Sequence, residues 1–156
     1  EVLTTRKSMP GVKDLLTKAV TCGGAFPHRL GASETVLVFD HHITFMGGFE
    51  AFLEALPALR GRCVEKKLFV EAGPDEARRL AEAGVDGIQL DKLPVDDLAA
   101  LVPELRAVDP HLTLIAAGGI NLQNAAAYAA CGVDGLATTA PFTAKPIDMS
   151  VRMKRA

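Results

Sequence analysis

No stretch of this 156-residue chain approaches the roughly 18 consecutive apolar residues of a membrane-spanning helix, and no signal peptide opens it. A membrane protein is not expected, and the expected location is cytoplasmic. Cysteine is scarce: Cys22, Cys63 and Cys131 are odd in number, far apart and without metal-ligand spacing. They read as reduced cysteines packed at helix ends rather than as a disulfide framework. Charge of one sign is also lacking. With a net charge of −2, the chain has no basic excess for a general nucleic-acid or anionic-membrane surface, so any anion site must be local. A P-loop, a dinucleotide fingerprint, a nucleophile elbow and a Ser–His–Asp order are all missing. So is an initiator methionine. The opening Glu1-Val2-Leu3-Thr4-Thr5-Arg6 reads as a chain entered partway along, with an upstream domain expected before it.

What is present is an ordinary globular composition, 49% hydrophobic and 23% charged, in a length of about one domain. Strand and helix patterns alternate. Val2 to Arg6, Thr35 to Phe39, Lys67 to Glu71, Gly87 to Asp91, Leu112 to Ala116 and Val133 to Thr138 read as strands. Between them lie helical faces: Val12, Leu15, Leu16 and Ala19; Phe49, Phe52, Leu53 and Leu56; Ala77, Leu80 and Ala81; Leu98, Leu101, Val102 and Leu105; Leu122, Ala125, Ala126 and Ala129. Pro103 inside the fourth face predicts a kink or two short helices. Asn121 is the expected N-cap of the fifth, and Ile147 to Met153 a short terminal strand or helix. One unit recurs: the run Ala81 to Ile88, AEAGVDGI, is echoed by Ala129 to Leu136, AACGVDGL. The pattern predicts an α/β fold, a TIM-like (β/α) barrel that is partial or open, with six to seven parallel strands and right-handed crossovers.

In such folds ligands bind beyond the carboxyl ends of the strands. The residues expected there are Arg6 and Lys7, His28 and Arg29, the run Asp40-His41-His42, Glu71, Asp91, Gly118 and Gly119, and Thr138 and Thr139. Arg6, Lys7 and Arg29 suit carboxylate or phosphate. Gly118-Gly119 before a helix offers bare backbone N–H groups to a phosphate, or is only a tight turn. Glu71 and Asp91, expected side by side, could hold sugar hydroxyls, Mg²⁺ or a developing positive charge. Asp40-His41-His42 lacks a third ligand at helical spacing, and neighbours at a strand end point opposite ways, so a transition-metal site is not expected.

Thr5-Arg6-Lys7-Ser8-Met9-Pro10-Gly11, Gly23-Gly24, His28-Arg29-Leu30, Val70-Glu71, Leu90-Asp91 and Ala117-Gly118-Gly119-Ile120 together resemble the C-terminal barrel of quinolinate phosphoribosyltransferases. Pro27-His28-Arg29-Leu30-Gly31 with Ser33 to Phe39, SETVLVF, resembles more narrowly the ModD branch, pyrophosphorylase-like proteins associated with molybdenum-transport operons. The resemblance implies one barrel domain over residues 1–156, with the family's N-terminal domain outside this chain, and a homodimer or higher homo-oligomer in the full-length protein. It implies that Arg6, Lys7, His28 and Arg29 grip the carboxylates of a small acidic acceptor. Glu71 and Asp91 would be the catalytic carboxylates facing the ribose and Mg²⁺ of phosphoribosyl diphosphate. Gly118, Gly119, Thr138 and Thr139 would bind phosphate. Three positions depart from the family pattern: Phe39 replaces a lysine at the dicarboxylate end, Ala117 a serine before the paired glycines, and Thr139 a glycine of the last phosphate loop. The acceptor is therefore expected to differ from quinolinate. Two other readings stand beside this one: a non-catalytic anion-binding barrel or operon scaffold, and a phosphate-binding isomerase or aldolase. The second lacks a lysine at a suitable strand end.

Overall fold

The computed structural model describes residues 1–31 and 34–155; Ser33 of the motif above lies outside them. The strands are β1 (Val2–Thr4), β2 (Phe26–Pro27), β3 (Val36–Val38), β4 (Leu68–Glu71), β5 (Gly87–Asp91), β6 (Thr113–Ala117) and β7 (Gly135–Thr138). The helices are α1 (Lys13–Cys22), α2 (Asp40–Phe45), α3 (Phe49–Arg62), α4 (Pro74–Glu82), α5 (Val95–Val108) and α6 (Ala125–Ala130), followed by a 3₁₀ turn at Ala140–Thr143. All pairings are parallel, in the order β2-β1-β7-β6-β5-β4-β3. The edge strands β2 and β3 do not pair with each other, so the sheet is an open half-barrel surrounded by helices.

The recurring unit explains how its strands are joined. Gly84 and Gly132 end their helices in left-handed conformations, φ 77° and 86°. The aspartate that follows clamps the neighbouring strand: Asp86 Oδ2 accepts the N–H of Leu68 at 2.7 Å, and Asp134 Oδ2 that of Leu114 at 2.7 Å. An arginine reaches each carboxylate, Arg60 of α3 at 3.5 Å and Arg106 of α5 at 2.7 Å. The second glycine gives space to a large neighbour. A Cβ on Gly87 would stand 2.6 Å from the Phe69 ring, and one on Gly135 2.8 Å from Leu3 Cδ1.

Two apolar layers result. The outer one packs Phe52, Leu56, Leu80, Leu98 and Leu105 against Leu68, Val70, Ile88, Leu90 and Leu114, all of them essentially inaccessible. Each such side chain contributes about 1.5–3 kcal/mol. The inner layer is small: Leu37, Phe69, Ile115, Ala117 and Ala137, with Leu3 and Phe39 against it. It fills the lower barrel and leaves the upper end open.

Several expectations are corrected. Pro103 does not divide its helix; α5 is continuous over Val95–Val108, and Pro103 and Ala99, whose carbonyl loses its partner, are both exposed, so the lost bond falls on the solvent side. The N-cap of α6 is Asn124, not Asn121. Asn124 Oδ1 accepts the N–H of Asn121 at 2.8 Å, while Asn121 Oδ1 accepts that of Gln123 at 2.9 Å, so Asn121 forms an Asx turn one step earlier. Asp40-His41-His42 is not a strand end but the first turn of α2, where His42 Nδ1 accepts the Phe39 N–H at 3.0 Å. Residues 144–155 are neither strand nor helix, and Ile147, Met149, Val151 and Met153 are exposed. Cys22, Cys63 and Cys131 do stand at helix C-termini as free thiols, but Cys22 is exposed rather than packed. Among the described residues no helix is long and apolar enough to cross a membrane.

Candidate active site

The sheet order arranges the carboxyl edge as a sequence of side chains. Reading from β2 to β3, it runs His28 and Arg29, Arg6 and Lys7, Thr138 and Thr139, Gly118 and Gly119, Asp91 and Lys92, Glu71, then Phe39. All of these line one cavity of about 430 Å³, together with Gln89, Leu37, Ala117 and Ala137. Every residue expected at this edge therefore reaches the same opening except the run Asp40-His41-His42, which begins α2 and does not line it.

The two acids are neighbours, but not level. Glu71 pairs in register with Gln89, whereas Asp91 pairs with Ala117 on the other side, two residues further along β5. Gln89 fills the offset. It is buried, at 6% exposure, and its Nε2 donates to Glu71 Oε2 at 2.6 Å. A carboxylate only accepts, which fixes the amide orientation and turns Oε1 toward His28. His28 Nε2, at 2.9 Å, is then the donor. Gln89 escaped the sequence reading because a residue inside a buried strand was counted as part of an apolar run. The available clue was a lone amide in that run.

The cations are crowded. Burial lowers the pKa of His28, opposed by the bond to Gln89 and reinforced by Arg29 and Arg6. Burial likewise lowers that of Arg29, with Arg6 adding to the effect and Glu34 and Glu71 opposing it. Arg29 remains charged. Its guanidinium carbon lies 5.7 Å from the Phe39 ring centre, and its buried Nε has no hydrogen-bond partner. Clustered cations with donor capacity to spare attract small anions, by charge and by hydrogen bonding. Arg29 and Lys92 are also the non-glycine residues with positive φ among those described, 63° and 56°, a conformation costing about 1–2 kcal/mol each.

Gly118 and Gly119 differ in kind. Gly118, φ 84°, is required by crowding: a Cβ would stand 2.5 Å from Lys92 Cγ and 2.6 Å from Asp91 Oδ1. Gly119, φ 73°, faces open space. The Thr138 hydroxyl is already engaged, donating to Ile120 O at 2.6 Å and accepting from Ala140 N at 3.0 Å. Thr139, beside it, is partly exposed at the cavity wall.

An open (β/α) barrel with cations and carboxylates facing each other across one cavity defines the class. The family described as Quinolinate phosphoribosyl transferase, C-terminal domain, matches residues 1–152, and the chain belongs to it. It is similar to the protein named "Putative pyrophosphorylase ModD" of Escherichia coli O127:H6, 35% identical over 156 residues, which are 99% of this chain and 55% of that protein. The carboxylating nicotinate-nucleotide pyrophosphorylase of Mycobacterium leprae is 37% identical over 142 residues, 90% of this chain and 49% of that protein. The solved nicotinate-nucleotide pyrophosphorylase of Francisella tularensis superposes with a TM-score of 0.80 at 29% identity, over 92% of this chain and 50% of that one. The chain spans about half the length of the curated relatives it matches.

Proposed function

We propose that this barrel carries out phosphoribosyl transfer of the pyrophosphorylase type, joining phosphoribosyl diphosphate to an aromatic or heterocyclic acid that resembles quinolinate. The observation supporting this is the single cavity in which Arg6, Lys7, His28 and Arg29 stand along one part of the rim and Asp91 and Glu71 along the other. In this reading the cations hold the acceptor's carboxylate against the Phe39 ring. The C1–O bond of the ribose breaks, its electron pair leaves with pyrophosphate, and the acceptor's ring nitrogen donates the pair that forms the new N–C1 bond. Positive charge gathers at C1 and the ring oxygen as the bond breaks. Glu71 and Asp91 stabilise that charge electrostatically without serving as nucleophiles. Gly118, Gly119 and Thr139 present the phosphate subsite, with Thr138 holding the loop in place. A carboxylate next to the ring nitrogen would then depart as CO₂, its bonding pair staying on the ring carbon beside the positively charged nitrogen, and that carbon would take up a proton from water.

The residues also fit Mg²⁺. One Glu71 oxygen is bonded to Gln89 and one Asp91 oxygen faces Lys92 Nζ at 3.4 Å, so each acid retains a second hard oxygen. No group of three or more metal-binding side chains occurs among the described residues. Mg²⁺ commonly takes one or two carboxylates and completes its shell with substrate phosphates and water. Bound there, it would neutralise the charge of the departing pyrophosphate. The full-length protein is read as a cytoplasmic homodimer or higher homo-oligomer of the ModD type.

Calorimetry with phosphoribosyl diphosphate and Mg²⁺ tests the site, comparing the unaltered chain with Glu71→Ala and Asp91→Ala. Loss of binding in the variants is expected. Equal binding by all three, or none by the unaltered chain, sinks the assignment. Pyrophosphate release across pyridine and related acids in a full-length protein names the acceptor, and silence throughout favours an anion-binding barrel instead.

A further inference from the structure

Lys92 stands at the other end of the cavity from the four cations already considered, and nothing about its own stability explains its geometry. Its backbone is left-handed, φ 56°, which an unbranched cationic residue adopts only at a free-energy cost. Its contact with Asp91, 3.4 Å from Nζ to Oδ2, joins adjacent residues, and the lysine side chain is 81% exposed. An ion pair that open contributes little to folding. The chain nevertheless builds a corner to hold Lys92 there. Lys92 N donates to Ala117 O at 2.8 Å, the same ladder step that Thr5 N makes to Thr138 O and Ala72 N to Gln89 O, so the left-handed turn begins directly at the end of β5. Gly118 lacks the Cβ that would strike Lys92 Cγ at 2.5 Å and Lys92 N at 2.7 Å. A strained residue, a glycine kept bare beneath it and a cavity in front of it are the marks of a functional position rather than of a stability device.

We infer that Lys92 is a phosphate-binding residue: its ammonium joins the backbone N–H groups of Gly118 and Gly119 in holding the 5′-phosphate of the phosphoribosyl donor. This rests on the function proposed above and adds a residue to it. The sheet order supports the assignment. β6 lies between β5 and β7, so Lys92 and Thr139 flank the Gly118-Gly119 corner on its two sides. Backbone N–H groups alone supply partial charges, and Ala117 and Thr138 provide no free hydroxyl there. Lys92 supplies the full positive charge that this end otherwise lacks, since Arg6 and Lys7 follow β1, beyond β7. Without ligand, Nζ rests against Asp91. When the phosphate arrives, Nζ exchanges that carboxylate for the phosphate and leaves Asp91 free to face the ribose.

Four variants separate charge from backbone shape: Lys92→Arg keeps the charge, Lys92→Asn and Lys92→Gly tolerate the left-handed backbone without it, and Glu71→Ala serves as the reference. Binding of phosphoribosyl diphosphate with Mg²⁺ is measured by calorimetry, then competed with ribose 5-phosphate or with inorganic pyrophosphate. The loss of one charge-assisted phosphate contact predicts roughly tenfold or greater weakening in Lys92→Asn and Lys92→Gly, with Lys92→Arg close to the unaltered chain. Thermal stability of Lys92→Gly should be unchanged or higher. Ribose 5-phosphate should compete well with the unaltered chain and poorly in Lys92→Asn, while competition by pyrophosphate persists. Binding by Lys92→Asn within twofold of the unaltered chain, beside a weakened Glu71→Ala, overturns the role of Lys92 and leaves the proposed function standing. Selective loss of pyrophosphate competition overturns the 5′-phosphate assignment. No binding by the unaltered chain overturns both proposals.

Discussion

Nε2 of His28 lies 2.9 Å from Oε1 of Gln89, which bonds a histidine at one edge of the open sheet to a strand near its other side. Gln89 passes the connection on to Glu71 at 2.6 Å. Arg29, next in the chain, approaches Phe39 at the far edge, 5.7 Å from the ring centre. Where β2 and β3 fail to pair, these side chains bridge the gap instead. The cation end and the carboxylate end of the cavity are therefore held to each other through Gln89.

Replacing Gln89 with leucine removes both bonds while roughly preserving volume. Glu71 and His28 would each lose a partner in a partly dry site, and the expected cost is about 1–3 kcal/mol. Urea unfolding measures it. A change below about 0.5 kcal/mol, the range of an ordinary surface substitution, would show that the bridge does not persist in solution.

Stability should depend on the protonation of His28. Burial lowers its pKa from the ordinary value of 6.5, so the folded chain binds this proton less readily than the unfolded one. Its contribution is fully present above 6.5 and is lost as pH falls below that value toward the folded pKa. His42 shifts in the same direction, through burial and then His41, so the comparison needs a His28→Asn variant. Unfolding free energies between pH 7.5 and 5 should fall more steeply for the unaltered chain, and parallel curves would refute the prediction. An anionic ligand beside His28 favours its charged form, so binding near pH 6.5 should draw in protons, measurable by calorimetry in buffers of different ionisation enthalpy.

Gly87 and Phe69 should be energetically coupled. Gly87→Ala forces a Cβ to within 2.6 Å of the Phe69 ring, and overpacking of this kind costs about 1–3 kcal/mol. Phe69→Leu alone costs about 1 kcal/mol through the space it leaves. Together they should cost less than their sum by at least about 0.5 kcal/mol, because the shortened side chain frees the space the new methyl needs. A double-mutant cycle in denaturant reads this directly, and strict additivity would mean the two do not touch.

Much of the architecture was legible because its causes are local. The paired Gly-Val-Asp-Gly turns announced two equivalent corners, and each glycine and aspartate has the same role in both. Three helical faces were marked by spacing, so Ala77, Leu80 and Ala81 are buried as their positions in α4 require, whereas Leu15 and Ala19 of the first face and Leu122, Ala126 and Ala129 of the fifth are exposed. Where the reading failed, a competing contact had decided the outcome. Asn121 looked like a cap, but the chain makes a further turn before α6 begins at Ala125. Asp40-His41-His42 looked like a strand end, but His42 folds back to bond the Phe39 N–H and starts α2. The two-residue β2 is too short for any periodicity to register, although it carries His28 and Arg29 to the cavity.

By itself, the sequence determined the order of the six longer strands and of the five helices besides α2, the corners that join them and the charged residues that stand at the strand ends, because these follow from neighbours a few residues apart. The tertiary structure alone decided how those ends meet. Gln89 sits opposite Glu71, Asp91 sits opposite Ala117, and His28 reaches Gln89 across a separation of 61 residues. These meetings depend on packing the inner layer, Leu37, Phe69, Ile115, Ala117 and Ala137, whose members come from four strands, β3, β4, β6 and β7, far apart in the chain.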